Sequence, residues 1–103
     1  MVSTVRPRAD LDSLPGGELV ARGLADLRAK RETQAALAVS MATGRLRAAG
    51  VDVPGEIAAE PSHALYDLLA RDDPDGAHGR YSALVAQIVS FARAVEAEHA
   101  ASR

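Results

Sequence analysis

Between residues 81 and 95, large apolar side chains recur at alternating spacings of three and four residues. Residues three and four apart lie on the same face of an α-helix, so this spacing predicts a long amphipathic helix. Smaller apolar residues lie beside the main row and widen the apolar face to roughly 160°, more than the stripe of a helix with one buried side. The main row is Tyr81, Leu84, Ile88, Phe91 and Val95, and the residues beside it are Val85, Val89 and Ala92.

Proline, glycine and aspartate residues divide the rest of the chain into three further predicted helices. We expect these at about 15–30, 33–50 and 61–72, with the C-terminal helix at about 73–97. Strict alternation of apolar and polar residues, the pattern of a half-buried strand, occurs nowhere. The predicted fold class is therefore all-α, a small bundle of about four helices without a β-sheet. The predicted capping residues are Thr33, Gly50, Ser62 and Asp73.

Two segments lie outside this helical pattern. Residues 1–13 combine charged, proline and small residues without apolar periodicity, and we interpret them as a mobile arm before a single helical domain at 14–103. Residues 51–55 are expected to form an extended connector. Within 33–50 the apolar residues form two groups, so this helix is either buried on two sides or bent at Thr43-Gly44.

The composition is compatible with a folded chain that has a small aliphatic core. Alanine contributes 22 residues, whereas leucine, valine, isoleucine and phenylalanine together contribute 23, and the net charge is only −2. With no cysteine, the chain has no disulfide, thiolate metal site or cysteine nucleophile. No apolar stretch is long enough to span a membrane and the N-terminus has no apolar signal core, so we expect a cytoplasmic location. The excess of arginine over lysine, 11 to 1, is typical of a GC-rich bacterial genome.

The densest polar cluster lies at 72–78 and contains three residues of metal-binding type, Asp73, Asp75 and His78. Alignment of this run with a calcium-binding EF-hand loop places an arginine and a serine at the two outermost ligand positions. Carboxylates before a helix also complement the helix dipole, and we favour that role here. We therefore predict no metal site, no cofactor and no catalytic residue.

Two arginine–histidine pairs resemble a motif of helical ribonucleases. Arg71 is followed by His78, and Arg93 by His99. Ribonucleases of the HEPN superfamily carry an arginine, four to six further residues and a histidine on a terminal helix. The resemblance covers only these residues. It implies metal-independent RNA cleavage by a dimer, with the histidines as the residues needed for cleavage.

Charge divides the chain into a basic and an acidic half. Residues 1–50 carry 8 basic and 5 acidic side chains, whereas 51–103 carry 4 basic and 9 acidic ones. The basic residues concentrate at 22–47, where Arg45 and Arg47 are candidates for binding an anion. This segment supports an alternative hypothesis, a small nucleic-acid-binding regulator. A pI of about 5.9 and a basic half without aromatic residues disfavour that alternative.

The wide apolar face of the C-terminal helix admits two interpretations. Either this helix is the central one of the bundle, or its main row faces a second subunit while the three smaller residues face inward. A chain with few large apolar residues gains from sharing a core in a symmetric dimer. Our leading hypothesis is therefore a non-enzymatic protein–protein interaction or self-association module, either a homodimer or the partner of another protein. Its predicted interface residues are Tyr81, Leu84, Ile88, Phe91 and Val95.

Overall fold

The computed structural model describes residues 13–55 and 58–101, and within them it contains five α-helices and no strand. The prediction of an all-α fold with about four helices is confirmed. The structure has five helices in the described ranges because the second predicted helix is divided in two. Apart from Ser13, the predicted arm at 1–13 lies outside the described residues. The helices are α1 (Gly17–Arg28), α2 (Gln34–Met41), α3 (Thr43–Ala48), α4 (Pro61–Asp72) and α5 (Ala77–Ala101).

A turn closed by hydrogen bonds joins α1 to α2. Lys30 adopts a left-handed backbone conformation, with φ 59°, just after the last turn of α1. Thr33 then caps α2 as predicted, since its hydroxyl accepts a hydrogen bond from the backbone N–H of Ala36 at 3.1 Å. The same hydroxyl donates to the carboxylate of Asp26 at 2.6 Å, and Arg31 pairs with that carboxylate at 3.3 Å. The turn thereby ties the end of α1 to the start of α2.

The second predicted helix is both buried on several sides and interrupted. Helix α2 contacts α1, α4 and α5, and every residue at 35–40 is buried. The interruption lies at Ala42, one residue before the predicted bend. After α3, Gly50 has φ 92° and the N–H of Val51 donates to the carbonyl of Leu46 at 2.9 Å. These two features confirm the predicted left-handed cap.

Two of the predicted capping residues are wrong. Helix α4 begins at Pro61 without a side-chain cap, and Ser62 lies within its first turn. The carboxylate of Asp73 accepts a hydrogen bond from the N–H of Gly76 at 3.1 Å, so Asp73 closes a turn of its own and α5 begins only at Ala77. Aspartate readily forms such local bonds with the backbone that follows it, and these compete with helix capping.

Helix α5 contacts all four other helices and closes the core. Among the described residues, no buried side-chain polar atom lacks a hydrogen-bond partner, so the core is apolar or fully bonded. One side of helix α5 therefore belongs to the core of the single chain, which favours the first of the two interpretations above. Its residues in the buried cluster are Ala77, Ile88, Phe91, Ala92 and Val95.

Candidate interaction surface

The structure separates the five residues predicted to form an interface. Ile88, Phe91 and Val95 are at most 5% exposed and lie in the core of the single chain. Tyr81 and Leu84 are half-buried and pack against that core. The three- and four-residue spacing of the main row is the same whether a helix packs against a partner or against the core of its own bundle, so the spacing alone does not distinguish the two. The three buried side chains cannot touch a second chain unless α5 leaves its own bundle.

Of the three smaller residues beside the main row of α5, which we predicted to face inward, only one is buried. Ala92 is buried, as expected of an inward-facing residue. Val85 and Val89 are only half-buried, and neither belongs to the described side chains that pack against the core. They are four residues apart and therefore neighbours along one side of α5. The apolar arc of α5 is thus wider than the core that it closes.

Two tyrosines extend this partly exposed apolar surface. The rings of Tyr66 on α4 and Tyr81 on α5 meet edge to face, with centroids 5.5 Å apart and an interplanar angle of 61°. Tyr66 is 38% exposed, more than any other large hydrophobic side chain in the described part of the chain. Tyr66, Tyr81, Val85 and Val89 form what we call the apolar strip.

Tyr66 is the member of the apolar strip that sequence analysis missed. It follows Leu65, which is fully buried, and successive residues point about 100° apart around a helix. Its ring is therefore directed away from the stripe that α4 buries. The sequence did contain this signal, since Tyr66 is an aromatic residue outside the buried stripe of its helix.

Opposite charges lie near the two ends of the apolar strip. The turn before α5, next to the Tyr81 end, carries Asp73 and Asp75. Arg93 lies one helical turn beyond Val89, at the other end. The side chains of Asp75 and Arg93 are both exposed, and neither forms an ion pair with another described residue. The strip therefore has one acidic and one basic end.

The two arginines expected to bind an anion have partners within the chain. Arg45 on α3 donates two hydrogen bonds to Glu96 on α5, from Nε to Oε2 at 2.7 Å and from Nη2 to Oε1 at 3.0 Å. Arg47 donates to the backbone carbonyl of Val53 from Nε at 3.2 Å and from Nη2 at 2.8 Å. Arg45 thus links α3 to α5 and Arg47 holds the connector at 51–55. Both guanidinium groups therefore have structural partners within the chain.

The acid titration of Glu96 tests the contact with Arg45. The hydrogen bond from Arg45 is the main reason why the pKa of the Glu96 carboxyl lies below its ordinary value, and the charges of Arg45 and Arg93 also lower it. Because the folded-state pKa is the lower one, the pair stabilises the fold above the unfolded-state pKa of about 4.3. This contribution is lost as pH falls through the folded-state pKa. We expect Arg45→Met to raise the pKa of Glu96 towards its ordinary value, as measured by NMR titration.

The matched control for this titration is Arg47→Met. It removes a guanidinium from the same short helix, but its hydrogen bonds go to the connector and not to Glu96. The pKa of Glu96 should therefore stay low in this variant. A Glu96 pKa that is the same in both variants would contradict the role given to Arg45.

The remaining candidate residues do not assemble a metal centre within the described ranges, and one of the two arginine–histidine pairs departs from the ribonuclease motif. No group of three or more described histidine, aspartate or glutamate residues could hold a metal ion. Arg71 belongs to α4 and His78 to α5, whereas the ribonuclease motif requires a single terminal helix. Arg93 and His99 share α5 with five residues between them, so this pair keeps the spacing of the motif.

A surface groove of about 560 Å³ lies between α2 and α4. Its floor is aliphatic, and its rim carries the charged residues Glu32, Asp67 and Arg71. Such a lining suits contact with an apolar group that carries a charge. It contains neither a histidine nor a hydroxyl nucleophile for reaction chemistry.

Neither family models nor curated proteins nor solved structures match this chain. None of the described helices combines the length and the apolar content that a membrane-spanning helix needs. The apolar strip with its charged ends is a surface feature of the described residues that the packing of the bundle leaves unexplained.

Proposed function

We propose that the chain is a non-enzymatic helical module that self-associates through the apolar strip as a homodimer. The observation that carries the proposal is the partly exposed pair Val85 and Val89 on a helix whose other side already closes the core. Tyr81 lies one turn before Val85, and its ring contacts that of the 38% exposed Tyr66. Each Å² of apolar surface removed from water contributes about 25 cal/mol, so covering the strip favours association. Tyrosine is also enriched at protein interfaces, where its ring supplies a large apolar area.

The apolar strip has dimensions that suit a contact between two helices. Tyr81, Val85 and Val89 follow one another at four-residue intervals, and eight residues of helix extend about 12 Å. In a two-fold dimer both subunits use the same patch, so one strip supplies both halves of the contact. A stable interface buries about 1,200 Å² or more in total, and the exposed residues around the strip would complete this area.

The contacts of the basic segment support protein association over nucleic-acid binding. Of the basic side chains at 22–47, Arg31, Arg45 and Arg47 already bond to groups of the same chain. The other three are Arg22, Arg28 and Lys30, and no aromatic residue of the basic half accompanies them. Nucleic-acid binding needs a larger basic surface than these three side chains provide.

Two glutamates in place of the valines should dissociate the proposed dimer. We expect Val85→Glu combined with Val89→Glu to raise the dimer dissociation constant at least tenfold, because the variant removes two apolar contacts and places charge in a desolvated interface. Glutamate is a better helix former than valine, so the far-UV CD spectrum should stay unchanged. Size-exclusion chromatography with light scattering, over a series of protein concentrations, measures the dissociation constant.

The matched control is Ala83→Glu combined with Gln87→Glu. It adds the same charge at two exposed positions of the same helix, away from the apolar strip, and should leave the dimer intact. Equal weakening by both double variants would assign the effect to charge alone and contradict the proposal. A wild-type chain that stays monomeric throughout the series would also contradict it. Excess absorbance at 260 nm that disappears at high salt would instead favour the nucleic-acid alternative.

A further inference from the structure

We infer that two copies of this chain meet with their α5 helices antiparallel, so that Asp75 of each protomer lies beside the partner's Arg93. The inference rests on the proposed self-association and adds to it an orientation, a register and the residues that select them. It follows from the distribution of charge around the apolar strip and from the spacing of the residues along α5.

The charges at the two ends of the strip decide the orientation. Asp73 and Asp75 lie at the Tyr81 end, and Arg93 lies at the Val89 end. In a parallel pair, acidic end would meet acidic end and the two Arg93 side chains would face each other, which is unfavourable. In an antiparallel pair, each acidic end meets a basic end. The opposed helix dipoles favour the same arrangement.

Other charges near the strip are already balanced within the chain. Glu96 is paired with Arg45 at 2.7 Å. Arg80, in the first turns of α5, is paired with Asp72 at 3.2 Å. The Asp73 carboxylate is held in the turn, where it accepts a hydrogen bond from the N–H of Gly76. Asp75 and Arg93 thus remain the exposed charged residues at the two ends that form no salt bridge within the described residues. The charge of Arg93 also acts on Glu96, three residues further along α5, but Glu96 forms its salt bridge with Arg45.

The spacing along α5 gives the register. Val85 lies midway between Tyr81 and Val89, so a two-fold axis at Val85 places Tyr81 of one protomer opposite the partner's Val89. Arg93 then lies opposite position 77 of the partner, only two residues from the partner's Asp75. The long arginine side chain can span that offset. A single register therefore brings the two apolar strips into contact and forms both Asp75–Arg93 pairs.

Single cysteines test this orientation, because the chain has no cysteine of its own. A disulfide requires Cα atoms within about 7 Å of each other. Val85→Cys, on the two-fold axis, should form a disulfide-linked dimer under mild oxidation. Val89→Cys should not, because the two copies of position 89 would lie about 12 Å apart along the helices. Ala83→Cys is the control for random collision, and it should not cross-link either.

Charge exchange tests the proposed ion pair. We expect Arg93→Glu and Asp75→Lys, each alone, to raise the dimer dissociation constant about threefold to tenfold, since an exposed ion pair contributes modestly and the dimer contains two. Both substitutions in one chain should restore the wild-type dissociation constant, because opposite charges again face each other. Sedimentation velocity at low salt measures the effect, and high salt should reduce it.

The outcomes distinguish this inference from the proposed function. Dissociation of the dimer by Val85→Glu with Val89→Glu would support self-association through the strip. If Val89→Cys nevertheless cross-links, or if Arg93→Glu tightens the dimer, the antiparallel arrangement is overturned while self-association stands. A double charge exchange that fails to restore the dissociation constant would overturn the Asp75–Arg93 pair. A wild-type chain without any dimer would overturn both proposals.

Discussion

Replacing Phe91 by alanine should lower the free energy of unfolding by about 3–5 kcal/mol. The Phe91 ring is fully buried in the cluster that α5 closes against the other helices, and it is the largest of the fully buried side chains described. The cost of such a truncation depends on how well neighbouring groups collapse into the space left behind. Five of the 18 residues in this buried cluster are alanines, whose side chains have no alternative rotamers with which to fill a cavity. We therefore expect a value near the upper end of that range.

Chemical denaturation followed by far-UV CD measures this loss of stability. Two further variants at position 91 show how the loss depends on the size and charge of the side chain. Phe91→Leu keeps most of the apolar volume and should cost about 1 kcal/mol. Phe91→Asp should unfold the chain, because burial of an unpaired charge costs as much as the whole stability of a small domain. A Phe91→Asp chain that stays helical and folded would place Phe91 on the surface and restore it to the interface predicted from the sequence.

Two of the four helix caps, those at Thr33 and Gly50, could be predicted correctly from residues within a single turn of the chain. Thr33 is followed by a helical sequence and can accept only the first free N–H groups of that helix, so its capping role could be predicted without any tertiary information. Gly50 ends α3 with a positive φ that other residues rarely adopt, and Val51 follows it to complete the cap. Both predictions depend on residues within five positions of each other.

The role of α5 could not be predicted in this way, because helical periodicity gives the faces of a helix but not what covers them. The sequence shows one apolar arc that contains both Phe91 and Val85. Whether the Phe91 side or the Val85 side faces the core depends on how α5 crosses the other four helices. The structure buries Phe91 and leaves Val85 half-exposed, which moves the candidate interface to the opposite edge of the arc.

Long-range polar contacts were missed for a related reason. Arg45 and Glu96 are 51 residues apart in the sequence, and nothing local to either one indicates the other. The division of the chain into a basic and an acidic half was visible, and we interpreted it as a surface for an anionic partner. In the folded chain, part of that charge is neutralised between α3 and α5. What remains unpaired, including Asp75 and Arg93, is the part relevant to association.

Gly23 is the second position at which a small change should have a large effect. Helices α1 and α2 approach so closely there that a Cβ atom added to Gly23 would overlap the carbonyl oxygen of Ala35 and a methyl group of Val39. The carbonyl belongs to the backbone of α2 and cannot rotate aside as a flexible side chain can. The two helices would have to separate, and α1 would lose contact with the most buried helix of the bundle. We expect Gly23→Ala to lower the free energy of unfolding by about 2–3 kcal/mol.

The same substitution at Gly79 provides the control, and it should have the opposite sign. Gly79 is exposed near the start of α5, and a Cβ atom there would meet no other atom within 4 Å. Alanine is a better helix former than glycine, so Gly79→Ala should raise the free energy of unfolding by about 0.5–1 kcal/mol. Urea denaturation of both variants isolates the packing contribution, because the added methyl group is identical. If Gly23→Ala also stabilised the chain, α1 and α2 would not be in the close contact that the structure gives them.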